Sequence, residues 1–246
     1  MLLDKDELIA TIFEVQHSMA LEGQAISESD LYTFIDESLI RHFVQSQQLP
    51  VKPFESKVGS TLLEVNEYLS LIPSWVSTQA ELDFAELRSI VAFRNQNLWI
   101  RLSTAQLLDD LVARQLHAAM FRDVWLWAGE YRNKDLNLGI PFGAISIEMR
   151  NLVEDSKLWF GAPSEIELID DACRFHHRLV AIHPFINGNW CFAREYTNLI
   201  LRSLELPAFT WSRSFENPTT AKRRYLESLR AADGGDLEKL KEFAYT

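Results

Sequence analysis

The sequence predicts an all-α fold, and three observations predict it. Helix-start signals recur along the chain, each followed by apolar residues at helical spacing. Glycine and proline are scarce, 9 and 8 among 246 residues, which disfavours a turn-rich β architecture. Alternating apolar and polar runs are nearly absent. The expectation is a helical bundle of about nine helices with one short β-hairpin flap, preceded by an N-terminal helical hairpin.

The elements follow in order. Asp4-x-x-Glu7 opens the first helix, in which Ile9, Ile12, Phe13 and Met19 or Ala20 share a face. Ser27-x-x-Asp30 opens a second and completes a hairpin over 1–45. Pro50, Pro53 and Gly59 make 46–70 a linker, with the main domain over 71–246. Thr78-x-x-Glu81 opens the next helix. Ser103-x-x-Gln106 precedes a broad stripe of Leu107, Leu108, Leu111, Val112, Leu116, Ala119 and Met120. Gly139, Pro141 and Gly143 mark a hairpin or extended flap within 137–147, the one β candidate. Ser164-x-x-Glu167 opens a helix to Ile182, which Pro184 must disrupt. A new apolar helical stretch runs from Asn189 to about residue 204. Asn217-Pro218 supplies an N-cap and a first-turn proline for a helix through Leu229.

Composition excludes several function classes. Acidic residues outnumber basic ones 35 to 24, a formal charge of −11. A chain this acidic repels phosphate backbones, so general nucleic-acid binding is not expected. Cys173 and Cys191 lie in no metal-ligand spacing, so no zinc site is expected, and both read as inert thiols in a reducing compartment. The N-terminal MLLDKDELIATIF is not a secretory signal, and no run approaches the roughly 20 apolar residues of a membrane span. The expected location is the cytoplasm.

The chemistry concentrates in HPFINGNWCFAR, residues 183–194. His183 sits where a helix ends and a loop begins, a frequent catalytic position. Asn187-Gly188-Asn189 then enters a helix N-terminus, where backbone N–H groups and the helix dipole attract anions. Arg194 lies further along that helix and could reach a terminal phosphate. Together these suggest phosphoryl or nucleotidyl transfer with His183 as base. The same residues also fit a plain loop histidine followed by a Gly-Asn turn. His176 and His177 are adjacent and diverge on their helix. One is expected to be buried and hydrogen-bonded, the other solvated, and neither is a catalytic candidate.

This stretch resembles the signature of the Fic (Fic/DOC) family, HPFx(D/E)GNGRxxR, at His183, Pro184, Phe185, Gly188, Asn189 and Arg194. MFRDVWLWAGEYRN, residues 120–133, resembles the segment before the target-docking flap of Fic proteins. The fragments RFHHRLVAIHPF, FTWSR and YLESLRAADGGD are most similar to the branch called mobile mystery protein B, a likeness running from about Leu71 to Phe243. The resemblance implies a protein adenylyltransferase, moving AMP from ATP to a Ser, Thr or Tyr hydroxyl of a target protein with Mg2+. It implies His183 as general base, Gly188 and Asn189 as the anion turn, Arg194 as the terminal-phosphate clamp and Asn187 as metal ligand. Leu138, Gly139, Ile140 and Pro141 would form a flap to which the target adds a strand.

Three positions depart from the signature. Asn187 replaces an acid and brings no negative charge to a metal. Trp190 replaces a glycine that lets phosphate approach closely. Cys191 replaces an arginine, a loss of about 1.5–3 kcal/mol in one charge-assisted hydrogen bond. The alternative reading is therefore a degenerate, inactive Fic scaffold acting as a binding module.

HSMALEGQ, residues 17–24, resembles the family's inhibitory motif (S/T)xxxE(G/N) at Ser18, Glu22 and Gly23. Ser18 and Glu22 share one helix face, and Gly23 is a natural C-cap. The resemblance implies autoinhibition by Glu22 pairing with Arg194. Residues 1–45 resemble an antitoxin fused to its toxin.

Overall fold

A computed structural model describes residues 5–24, 26–27, 29–35, 69–96, 101–161, 164–211 and 218–245. Residues 46–68 of the expected linker, the end of the N-terminal hairpin and the caps at Asp4 and Asn217 lie outside the described residues. The chain divides into two compact units, Met1–Asn97 with Met120–Trp127, and Leu98–Ala119 with Ala128–Thr246. Residues 71–97 thus group with the N-terminal helices.

In the first unit, α1 (Lys5–Glu22) carries Asp6 and Glu7 in its first turn, where the helix dipole favours acids. Its buried stripe is Leu8, Ile12, Val15 and Met19. This corrects the expected face: Phe13 is 40% exposed and lies edge-on to Tyr32. Leu8 and Val15 continue the Ile12–Met19 stripe at helical spacing, whereas Phe13 is offset from it. Gly23, at φ 93°, ends the helix, with Gly23 N–H donating to Ala20 and Gln24 N–H to Met19. A second helical segment, α2 (29–35), starts from Ser27, whose Oγ accepts from Asp30 N–H at 3.2 Å.

The α3 helix (Gln79–Asn95) opens on the expected capping box of Thr78 and Glu81 and packs against α1. Arg94 pairs with Glu14 at 2.9 Å. Segment 120–127 crosses this unit, with Ile72 N–H donating to Val124 and Leu126 N–H to Ser70. Leu71 and Trp125 form an isolated antiparallel bridge. Glu86 is buried and accepts from the Trp125 indole at 2.7 Å and from the Gln24 amide. Burial pushes its carboxyl up to about 8.

The second unit begins with a second correction. The stripe after Ser103 is two helices, α4 (Thr104–Leu107) and α5 (Asp110–Phe121, whose last two residues group with the first unit). Ser103 and Gln106 do form the capping box. Asp109 then accepts from Leu111 N–H at 2.8 Å, capping a new start where one continuous helix was expected.

A third correction concerns the flap. No strand forms over 137–147: the chain is irregular to Pro141, makes a 3₁₀ turn at Phe142–Ala144 and enters α6 (Ile145–Trp159). Gly139 lies at φ 95°, outside strand geometry, and Pro141 has no N–H to give a ladder.

Helix α7 (Glu165–Ile182) is capped by Ser164 as expected, and α8 (Asn189–Ser203) is buried along nearly its whole length. It packs on α7 and α4, while α6 lies against α7. The α9 (Pro218–Asp233) and α10 (Glu238–Tyr245) helices pack together and onto α7. Tyr196 fastens α8 to α4 through the Leu107 carbonyl at 2.5 Å. No helix of the described residues is long and apolar enough to cross a membrane.

Candidate active site

The site is built on the break between α7 and α8. His183 caps α7 in the left-handed region, φ 53° and ψ 62°, with its N–H donating to Leu179 at 3.2 Å. A non-glycine residue there is uncommon and must be held by its surroundings. Arg132 supplies the hold. Its Nε donates to the His183 carbonyl at 2.8 Å, and its backbone N–H donates to the Pro184 carbonyl at 2.9 Å.

The rest of the loop is pinned from two sides. His117, fully buried on α5, donates from Nε2 to the Asn187 carbonyl at 3.1 Å and accepts Gly129 N–H on Nδ1 at 3.0 Å. Those two partners set its tautomer. Its ring stacks on Phe185 at 3.7 Å between centroids. Asn189 turns its amide back onto Phe185, accepting from its N–H and donating to its carbonyl, both at 2.9 Å. The side chain of Asn189 therefore shapes the turn. Gly188 takes φ 73° as the N-cap of α8, a conformation suited to glycine.

Burial lowers His183 to about 4, with the Arg132 charge adding to the effect and a hydrogen bond to the Val180 carbonyl opposing it. The imidazole is therefore neutral at physiological pH. With one ring N–H given to Val180, the other nitrogen is an acceptor. Burial also holds His117 and His176 near 3.

The segment 138–141 lies against the end of α7. Ile140 N–H donates to the Ile182 carbonyl at 3.4 Å. A Cβ on Gly139 would lie 2.6 Å from His183 Cβ and 2.7 Å from Arg132 Nη2. Leu138 and Pro141 are exposed.

The first turns of α8 are packed differently. Trp190 meets Tyr225 of α9 edge-on at 5.6 Å, with Lys222 Nζ 5.9 Å from the indole. Cys191 is buried and accepts from Arg194 Nη2 at 3.4 Å. Arg194 is 1% exposed, its guanidinium carbon 5.6 Å from the centre of the Tyr225 ring. Tyr225 also bonds His176 Nε2 at 2.9 Å. His176 is thus the buried, bonded member of its pair, and half-buried His177 meets Asp233 at 2.8 Å. Burial pushes the Cys173 thiol up to about 12, consistent with an inert cysteine.

Ser18, Glu22 and Gly23 belong to the first unit. Ser18 is buried, Glu22 half-buried, and Gly23 caps the helix.

Residues 107–201 match the model of the Fic/DOC family. Its members are AMP transferases at the family level. The fold is shared with solved Fic structures at low identity. Fic-1 from C. elegans matches with a TM-score of 0.56 at 18% identity over 96% of this chain. BepC from Bartonella tribocorum, with bound AMPPNP, matches with a TM-score of 0.56 at 17% identity over 77% of this chain and 93% of its own. A Fic-domain signalling protein from Bacteroides thetaiotaomicron matches with a TM-score of 0.56 at 16% identity over 95% of this chain and 77% of its own. The present chain covers 59% of that solved C. elegans chain.

Sequence reasoning passed over Arg132, His117 and Tyr225. His117 carried a signal, a polar residue inside the apolar stripe of α5. Arg132 carried a weaker one, a cation immediately before the flap. Tyr225 looked like an ordinary core aromatic.

Proposed function

We propose that this chain is a Fic-type protein adenylyltransferase, held down by its N-terminal helix. The observation that carries the reading is the placement of a neutral, half-buried His183 in the loop that leads into the Gly188–Asn189 helix start. His183 takes the proton of a target Ser, Thr or Tyr hydroxyl. The hydroxyl oxygen bonds to the α-phosphorus of ATP, the bond to the β-phosphate oxygen breaks, and pyrophosphate leaves. The N-terminus of α8 faces the developing negative charge, and Arg194 binds the terminal phosphate.

Among the described residues, no group of three or more His, Cys, Asp or Glu could hold a metal ion. A magnesium ion fits here only as a partner of the nucleotide, because this ion keeps waters and phosphates and needs few protein ligands. Asn187 would be its ligand through the side-chain amide, since His117 already occupies the backbone carbonyl. Bound there, the ion would neutralise phosphate charge.

Glu22 is assigned to inhibition, pairing with Arg194 in place of the terminal phosphate, with Ser18 and Gly23 completing the inhibitory helix end. In the Glu22→Gly variant, transfer of labelled AMP from ATP to protein rises above the parent. Background labelling in that variant would sink the active-enzyme reading.

A second reading rests on Arg194. Its burial against Tyr225 and its bond to Cys191 describe an arginine absorbed into the core. That packing supports a non-catalytic Fic scaffold acting as a binding module. Calorimetry of the Glu22→Gly variant with ATP and Mg2+ separates the two: micromolar binding rules out the scaffold, and no heat of binding supports it.

A further inference from the structure

Arg132 is an expensive residue in an unusual setting. It is buried, and its close partners are mostly carbonyl oxygens. The Nη2 group donates to the Ile140 carbonyl, and at 3.4 Å to that of Ile182. From Nη1 a bond reaches the Lys134 carbonyl at 2.9 Å, and from Nε one reaches the His183 carbonyl at 2.8 Å. Asp135 approaches Nη1 at 3.8 Å from the exposed side. Burying a charge is costly unless its bonds are all made. Here the carbonyls of Ile182 and His183 close α7, where the helix dipole is negative and a cation is favoured.

These partners belong to two structures with separate tasks. Lys134 precedes the flap and Ile140 lies within it. Ile182 and His183 carry the base. We propose that Arg132 is a positioning residue that couples the target-docking flap to the catalytic base, its single guanidinium fixing the carbonyls of Ile140, Ile182 and His183 together. The planar fork of arginine makes this possible, because its donors diverge at fixed angles, and lysine has no equivalent. Gly139 completes the junction: any side chain there meets His183 Cβ and Arg132 Nη2 at once. A hydroxyl delivered on the flap would then arrive in fixed register with the imidazole, and such alignment governs transfer rates. The consequence for transfer rests on the adenylyltransferase reading; the coupling itself does not.

The test uses the full chain and two variants, Arg132→Gln and Arg132→Lys. Amide exchange at Ile140, referenced to amides within α8, reads the flap. The NMR titration of the His183 ring reads the base. In Arg132→Gln, Ile140 exchange accelerates about tenfold or more, as expected for the loss of charge-assisted bonds. His183 titrates at higher pH, because the cation that disfavours its protonation is gone. In Arg132→Lys the charge stays and the fork is lost, so exchange still accelerates while the titration moves little.

If Arg132→Gln does not fold, Arg132→Lys decides alone. Ile140 exchange that matches the parent, relative to α8, overturns the proposal. So does a folded Arg132→Gln whose His183 titration is unmoved. In a Glu22→Gly background with measurable transfer, Arg132→Lys lowers kcat more than it changes KM for ATP, and an unchanged kcat overturns the proposal. If Glu22→Gly shows no transfer while exchange and titration respond as stated, the adenylyltransferase reading fails and the coupling stands.

Discussion

The loop 183–189 and the helical turns 190–194 that follow it are neighbours in sequence and differ in construction. The loop is held by buried polar side chains aimed at its backbone: Arg132 on His183, His117 on Asn187, and the Asn189 amide on Phe185. The turns that follow are held by side chains packed on side chains: Trp190 on Tyr225, and Arg194 on Cys191 and Tyr225. The residues that keep the family signature are mostly in the first group, and two of the three departures are in the second. Backbone geometry at His183 is thus held by contacts that Trp190 and Cys191 do not enter. Trp190 and Cys191 pack instead against Tyr225 and Arg194.

That contrast can be broken or sharpened by experiment, beginning with the largest effect. His183→Ala in the Glu22→Gly background lowers AMP transfer by about 10²–10⁴-fold, the range of a lost general base. Labelling with radioactive ATP measures it, and undiminished labelling removes His183 from the chemistry. Next is the joint reversal Trp190→Gly and Cys191→Arg. Restoring one charge-assisted bond tightens ATP binding roughly 10- to 150-fold, read by calorimetry in the same background. No gain would mean that the second region is not what limits nucleotide binding.

The loop side predicts a stability effect instead. His117→Phe keeps an aromatic ring against Phe185 and strands Gly129 N–H and the Asn187 carbonyl. Each buried unsatisfied group costs about 1–3 kcal/mol, so the urea midpoint falls. A midpoint equal to the parent's would show that the loop does not depend on this clamp.

The smallest effect is in the pH dependence, where the two units differ. In the second unit His117 and His176 are held near 3 and His183 near 4, below the ordinary imidazole value of 6.5. The unfolded chain binds protons there that the folded chain refuses, so this stability is whole above about pH 6.5 and is lost as pH falls toward 3–4. In the first unit Glu86 is raised to about 8. Its contribution is whole below about pH 4.5 and is lost as pH rises through 8. Urea midpoints followed by tryptophan fluorescence from pH 5 to 9 should decline at both ends. Replacing His176 with Phe should flatten the acid side alone.

Much of the fold was legible because its signals are local. Capping pairs such as Thr78–Glu81 and Ser164–Glu167 act within one turn, so the sequence displays them directly. Where reading failed, a nearby residue competed. Asp109 capped a second helix inside an apolar stripe that looked continuous, and Gly139 took a positive φ where a hairpin was expected. The placement of His183 at a helix end was legible from the helix-breaking Pro184 and the Gly-Asn turn beyond it. Arg132 and His117 were not, because their partners are backbone carbonyls 50 and 70 residues away. A backbone carbonyl leaves no mark on the sequence.

The sequence by itself determined the helical class and the principal helix boundaries around the candidate site. Periodicity, caps and helix breakers are short-range effects, and they suffice for that. Only the tertiary structure decided how the residues there are held: which histidine is buried, where the Trp190 indole goes, and that one guanidinium joins Ile140 to His183. Those outcomes depend on desolvation and on contacts between distant segments, which become defined when the helices pack.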